Sequence, residues 1–290
     1  MVLIPKKQLK NGFSMPVIGL GTWGMGGWVE KDTSHDESDR KAIRRALDAG
    51  INHIDTAERY AEGHAEELVG EVISERERSS VFLVSKVIPE HLSYDDLLHA
   101  AENSLRRLRT NYLDLYLIHN PNPAIPITET MRAMDRLVDE GLIRHIGVST
   151  FTVPQFEEAQ SAARHPIVAN QLHFNLAYRA PEKQGLLDHA KTHDWMFVAF
   201  RPIRDVLLLE KKPEILHAMC AKYGKTSAQI AVNWLLQQEN VVTIAKCGTK
   251  EHLDDVLGAL QWKLEEADVH RLRMEFPLPS SLPRPPAPAL

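Results

Sequence analysis

The chain has 290 residues, 43% of them hydrophobic and 25% charged, a balance expected of a globular protein with a sizeable core and within the size range of one α/β barrel. Its formal net charge of −5 comes with Lys and Arg scattered along the chain, so there is no basic field for a nucleic-acid backbone and no nucleic-acid partner is expected. The two cysteines, Cys220 and Cys247, form no CxxC pair, which argues against a disulfide framework or structural zinc and fits a reducing, cytoplasmic location. No stretch reaches the roughly 18 uncharged apolar residues of a spanning helix, and MVLIPKKQLK is too short an apolar run for a signal peptide. No membrane partner is expected.

Asn11 and Gly12 predict the turn of a short hairpin before residue 17. From there, β-rich apolar runs alternate with helical patterns, and strands are expected near 17–23, 51–57, 81–87, 114–120, 143–149, 167–173, 195–200 and 241–247. Ser34 with Glu37, Ser93 with Asp96 and Thr152 with Gln155 have the spacing of a helix cap facing an acceptor three residues on. After Ser93, Leu97, Leu98, Ala101, Leu105 and Leu108 recur at the interval of one buried helix face. Gly50 and Gly141 stand where a helix must stop. Eight strand–helix units of about 30 residues predict an α/β fold, a (β/α)8 TIM barrel with a short N-terminal β-hairpin. A doubly wound open sheet fits less well, because GLGTWGMGGW lacks the GxGxxG spacing and does not lead at once into a helix. Residues 277–290, PLPSSLPRPPAPAL, predict an extended proline-rich tail. Nothing else reads as a linker, so 1–290 is expected to be a single domain.

In such a barrel the working residues lie at the carboxyl ends of the strands. Asp55, Lys86, His119 and Ser149 end the second to fifth predicted strands, the sixth ends near Asn170 and Gln171, and Tyr60 stands in the loop after Asp55. Alone, each has an ordinary explanation as a helix cap, a rim charge or a packing residue. Together they converge on one mouth. A tyrosine with a pKa of about 10 is a poor acid near neutrality, and a neighbouring cation lowers that value. Lys86 is expected to supply the cation, Asp55 to keep it charged and oriented, His119 to hydrogen-bond a carbonyl oxygen, and Tyr60 to deliver a proton. A nicotinamide cofactor would bring the hydride. His53, Asp55, His119 and His173 also suggest a metal-dependent hydrolase, but the chain lacks the paired-His strand of such sites, so no metal is expected.

The chain resembles the aldo-keto reductase family through GLGTWG at 19–24, IDTAERYAEGHAEELVG at 54–70, LVSK at 83–86, LIHNP at 117–121, GLIRHIGVST at 141–150, NQLHFN at 170–175 and GTKEHLDD at 248–255. By this resemblance Asp55, Tyr60, Lys86 and His119 match the family's catalytic tetrad. It further implies cofactor contacts at Gly21, Thr22, Trp23 and Asp55. Ser149, Thr150 and Gln171 would meet the nicotinamide amide, and Phe200 would be the stacking aromatic. Arg201, Pro202, Ile203 and Arg204 would form the loop over the pyrophosphate, with Lys246, Gly248, Thr249, His252 and Asp255 at the last strand.

Several positions depart from the family pattern. Thr150 stands where Asn is frequent, Phe200 replaces Tyr, and FRPIRDVLLLE at 200–210 lacks the Leu-Gly-x-Gly turn, which sends that loop on another path. His252 and Val256 stand where many NADPH-preferring members carry Arg and Asn, yet Lys246, Thr249 and Lys250 suit a 2′-phosphate. NADPH is the expected coenzyme, with NADH as the alternative. Trp23 and Trp28, together with Met25, would wall the pocket for a small carbonyl substrate beside Tyr60 and His119. The expected function is NAD(P)H-dependent reduction of aldehydes or ketones to alcohols, with Tyr60 as general acid. The competing reading is a nicotinamide-binding, redox-sensing regulatory subunit with slow turnover. The sequence leaves oligomeric state open.

Overall fold

Strands that are apolar on both faces, separated by helices apolar on one, bury their surfaces when parallel strands close on themselves and the helices pack outside. The chain folds in this way in a computed structural model that describes residues 3–278, so most of the proline-rich segment lies outside the described residues. A hairpin of β1 (Lys6–Gln8) and β2 (Ser14–Pro16) comes first, paired antiparallel. Its turn is the expected one: Gly12 takes a left-handed φ of +92°, and the Phe13 amide donates to Asn11 Oδ1 at 2.9 Å.

Eight parallel strands follow, β3 (Ile18–Gly21), β4 (His53–Asp55), β5 (Phe82–Val87), β6 (Leu115–Ile118), β7 (Ile146–Ser149), β8 (Ile167–His173), β9 (Met196–Phe200) and β10 (Val241–Ala245). Each pairs with the next, and β10 pairs with both β9 and β3 to close the barrel. Most are shorter than their patterns predict. Residues flanking the ladders, such as Ile51, Ala57 and Thr22, remain fully buried, and burial without ladder pairing leaves the same apolar signal in the sequence.

The helix Tyr94–Arg107 buries Leu97, Ala101 and Leu105 as its spacing requires, and Gly50 and Gly141 end their helices with φ of +107° and +72°. One cap forms as expected: the Thr152 amide donates to Gln155 Oε1 at 2.9 Å. Ser93 stands at the start of its helix, but its hydroxyl donates to the Asp96 side chain at 2.6 Å and caps no backbone amide. Ser34 is not a cap. Asp32 captures the Ser34 amide at 2.9 Å to cap a short turn, Thr33–His35, and the helix starts at Asp36.

The hairpin is fixed at the amino ends of the strands. Lys7 Nζ donates to the carbonyls of Leu236, Gln238 and Val241 at 2.7, 2.5 and 2.7 Å, and Val241 opens β10. The opposite end, where the carboxyl termini of the strands gather, is the mouth. No described helix is long and apolar enough to cross a membrane.

Candidate active site

Strand alternation decides which side chains enter the mouth. On β5, Ser85 points outward and donates to buried Glu66, which also pairs with Arg107 Nε at 2.6 Å. Its neighbour Lys86 therefore points inward. There Lys86 Nζ donates to Asp55 Oδ1 at 2.5 Å, to the Thr56 carbonyl at 2.9 Å and to Tyr60 Oη at 3.1 Å. All three donor positions of the ammonium are used. Lys86 is completely buried and Tyr60 retains 7% of its surface. His119, one residue past β6, sets its ring edge-on to Tyr60 at 5.7 Å, and Trp23 closes the other side at 4.9 Å. Asp55, Lys86 and His119, picked out at strand ends, thus meet Tyr60 from the loop.

Burial pushes the Lys86 ammonium toward losing its proton, but Asp55 and Tyr60 more than offset this and its pKa is raised. For Tyr60 the balance corrects the expectation. Burial pushes the phenol up, Lys86 pulls it down, and the result remains above the ordinary tyrosine value. Lys86 limits a rise and does not produce an activated, low-pKa phenol. Burial, followed by the charges of Lys86 and Arg59, drives the His119 pKa well down, so the ring is neutral in the physiological range. Its Nδ1 is buried without a partner.

On the next strands, Gln171 Nε2 donates to the second Asp55 oxygen at 2.7 Å, and Ser149 Oγ donates to the Gln171 carbonyl at 3.0 Å. Asp55 is thus held from both sides. Thr150 adopts φ +60°, and its hydroxyl accepts from Asn120 Nδ2 at 2.7 Å while donating to the Ser149 carbonyl. A β-branched residue in that region is strained. Phe200 ends β9 half-buried and parallel to His173 at 5.4 Å, and His173 stacks in turn on Tyr178 at 4.0 Å.

The loop after β9 leads into a short helix. Arg201 turns with φ +57°, Pro202 is buried, Ile203 is half-buried, and Arg204 begins a short helix, Arg204–Leu207. Asp205, buried, accepts from His173 Nε2 at 2.6 Å and from Asn175 Nδ2 at 2.7 Å. Sequence reasoning did not find Asn120, Asn175 or Asp205. Their partners lie about 30 residues away on other elements, and local spacing carries no signal for such pairs.

At β10, Lys246 reaches the Gly24 carbonyl at 3.3 Å and the Trp28 ring at 4.9 Å. A Cβ added at Gly248 would meet nothing within 4 Å. Thr249 caps the helix Lys250–Leu257 by accepting from the His252 amide at 3.2 Å. That opening, with a lysine and a helix N-terminus beside it, suits a phosphate. Thr22 donates to the Asp55 carbonyl at 3.1 Å, and a Cβ added at Gly21 would lie 4.0 Å from the Ala245 backbone, an ordinary contact. A free amide oxygen on Gln171 and an aromatic ring at Phe200 likewise fit a nicotinamide nucleotide.

Three expected contacts are modified. Met25 is fully buried and packs the loop, so it does not wall the mouth; Trp28 is 61% exposed. Lys250 pairs with Asp254 at 2.5 Å, and Asp255 accepts from Thr226 Oγ1 at 2.7 Å. The residues of the hydrolase reading do not gather either: His53 lies sealed in the barrel with both ring nitrogens unpartnered, and His173 serves Asp205.

A closed (β/α)8 barrel with a buried Asp–Lys–Tyr cluster and a His at its mouth defines an oxidoreductase of the carbonyl-reducing class. The profile of the aldo/keto reductase family matches residues 17–274, and the chain belongs to that family. It is 32% identical over 276 residues to a methylglyoxal reductase of Escherichia coli, covering 94% of this chain and 95% of that one. With a glyoxal reductase of Bacillus subtilis it shares 35% identity, covering 91% and 90%. Among solved structures, the thermostable aldo-keto reductase Tm1743, in complex with the inhibitor epalrestat, superposes with a TM-score of 0.90 at 45% identity, over 93% of this chain and 99% of that one. An aldo-keto reductase of Klebsiella pneumoniae in complex with NADP and acetate gives 0.84 at 34%, over 96% and 98%.

Proposed function

We propose that this protein reduces small aldehydes with NADPH, and that Tyr60 is the acid that protonates the carbonyl oxygen. The observation that carries this reading is the single ammonium of Lys86, bonded at once to Asp55 and Tyr60 inside the mouth. A bound nicotinamide supplies hydride to a carbonyl carbon. As negative charge gathers on the oxygen, neutral His119 hydrogen-bonds it and Tyr60 gives up its proton. Lys86 stabilises the phenolate left behind, and Asp55 keeps Lys86 charged. Burial raises the Tyr60 pKa, so the phenol carries its proton at neutral pH.

Gln171, Ser149 and Thr150 would seat the carboxamide, and Phe200 would lie against the ring. Lys246, Gly248, Thr249 and His252 would receive the 2′-phosphate, which favours NADPH over NADH. Two relatives are named for reduction of methylglyoxal and glyoxal, which supports small aldehydes as the substrate class and an enzyme rather than a redox-sensing subunit. Cys220 and Cys247 are free thiols, in keeping with a reducing cytosol.

The test is a fluorescence titration of the protein with NADPH and NADH, followed by a panel containing methylglyoxal and benzaldehyde. NADPH should bind at least tenfold more tightly and support turnover of both aldehydes. Binding of neither nucleotide would defeat the reading, and equal binding would defeat the coenzyme preference.

A further inference from the structure

Gln171 reaches across the barrel. In the closed ring β10-β3-β4-β5-β6-β7-β8-β9, β8 stands four places from β4 in either direction, so the two strands face each other over the mouth. From β8, Gln171 Nε2 donates to Asp55 Oδ2 at the end of β4, at 2.7 Å. Both residues are buried, with 4% and 1% of their surface exposed. The backbone of Gln171 is fixed as firmly: its carbonyl accepts from the Thr150 amide at 2.9 Å and from Ser149 Oγ at 3.0 Å. Its neighbour Asn170 turns the other way and donates to the Phe151 carbonyl at 2.9 Å, as strand alternation requires.

The amide closes a continuous chain. Gln171 holds one oxygen of Asp55, Lys86 holds the other at 2.5 Å, and the same ammonium reaches Tyr60 Oη at 3.1 Å. Without Gln171, Asp55 would have Lys86 as its only side-chain donor among the described residues. A buried carboxylate oxygen left without a donor is costly. Relieving that cost means turning Asp55 toward Lys86 or toward water, and either movement draws the ammonium away from Tyr60. At 3.1 Å that bond has little length to lose.

We propose that Gln171 is a positioning residue for proton transfer: by bonding Asp55 across the mouth, it keeps the Lys86 ammonium on the Tyr60 hydroxyl. This rests on the reductase reading, and it gives Gln171 a part that seating a carboxamide does not require. One side-chain amide then serves two partners, its Nε2 holding Asp55 and its Oε1 facing the coenzyme.

The experiment compares the native chain with Gln171→Met and Gln171→Glu. Methionine keeps the bulk and has no N–H to donate. Glutamate can donate to Asp55 only while it holds a proton, and two carboxyl groups in contact keep one proton to a higher pH than either does alone. A carboxyl group at 171 accepts an N–H from the coenzyme in either form, so a pH dependence reports the Asp55 bond. The titratable neighbours Lys86, Tyr60, His119 and His53 are present in every protein, so each rate is divided by the native rate at the same pH.

With NADPH saturating, as checked by titration of each protein, single-turnover reduction of benzaldehyde by Gln171→Met should fall about tenfold or more at both pH 5.5 and pH 8. Gln171→Glu should match it at pH 8 and recover at least about fivefold at pH 5.5. Without coenzyme, the denaturation midpoint of Gln171→Glu relative to native should fall as pH rises, because a proton held more tightly in the fold stabilises it only at lower pH. Gln171→Met rates within twofold of native would overturn the proposal and leave Gln171 a coenzyme ligand only. So would a Gln171→Glu rate ratio indifferent to pH, or denaturation curves that stay parallel. A native chain that binds neither nucleotide and reduces no aldehyde would overturn the reductase reading and this proposal with it.

Discussion

On the β4–β6 side of the mouth, Asp55, Tyr60 and Lys86 are buried and joined by hydrogen bonds of 2.5 and 3.1 Å. Facing them across the barrel, Phe200 and Arg201 are half-buried and Lys246 is exposed, held to the Gly24 carbonyl at 3.3 Å. The first side is fixed by burial and by mutual satisfaction of charges, which suits groups that must be in place before a reaction begins. On the second side, where we propose that a large nucleotide enters, the charged groups stay nearer solvent, and Arg201 holds a left-handed backbone.

If the catalytic side is rigid because its charges satisfy one another, removing one should cost most. Lys86→Met leaves Asp55 buried with only Gln171 as a side-chain donor, and breaking such a pair costs about 3–5 kcal/mol. Chemical denaturation should show that loss together with loss of reductase activity. Stability within 1 kcal/mol of native, an order-of-magnitude bound for a surface change, would mean the pair is not buried as described.

A smaller effect is expected from His53, which is sealed below the cluster and whose pKa burial drives down to about 4. Unfolded, it takes up a proton near the ordinary value of about 6.5, so folding stability from neutral His53 is present above that pH and is lost as pH falls toward 4. The stability of native protein relative to His53→Phe should therefore decline by about 3 kcal/mol between pH 7 and pH 4. Parallel stability curves for the two proteins would show that His53 does not titrate in this way. The least effect concerns the coenzyme side. Thr150→Asn places a residue that tolerates left-handed backbone at φ +60° and should raise stability by about 1 kcal/mol; a lower melting temperature would mean that the Asn120 bond outweighs the strain.

The same contrast explains what the sequence makes legible. Asp55, Lys86, His119 and Ser149 were identifiable because strand alternation and a closed barrel oblige residues at strand ends to share one mouth. The direction of the Tyr60 shift was not, because it depends on how far burial outweighs Lys86. Met25 beside Trp23 and Trp28 is another apolar residue in the sequence, and only packing shows that it turns inward. The Asp205–His173–Asn175 and Asn120–Thr150 contacts join elements with no shared periodicity, and the left-handed turns at Thr150 and Arg201 occur at residues that do not announce them. Gly50 and Gly141, whose identity reports their conformation, were read correctly.

The most direct test of the central claim is single-turnover reduction of benzaldehyde by Tyr60→Phe preloaded with NADPH. The substitution removes the proton and keeps the ring that packs on Trp23 and His119. The expected result is a fall of about 10²–10⁴-fold in the rate of reduction, the usual contribution of a positioned acid, with NADPH affinity within about twofold of native because the phenol is required for the proton and not for binding. A rate close to native, with the coenzyme bound, would contradict the assignment of Tyr60 as the acid.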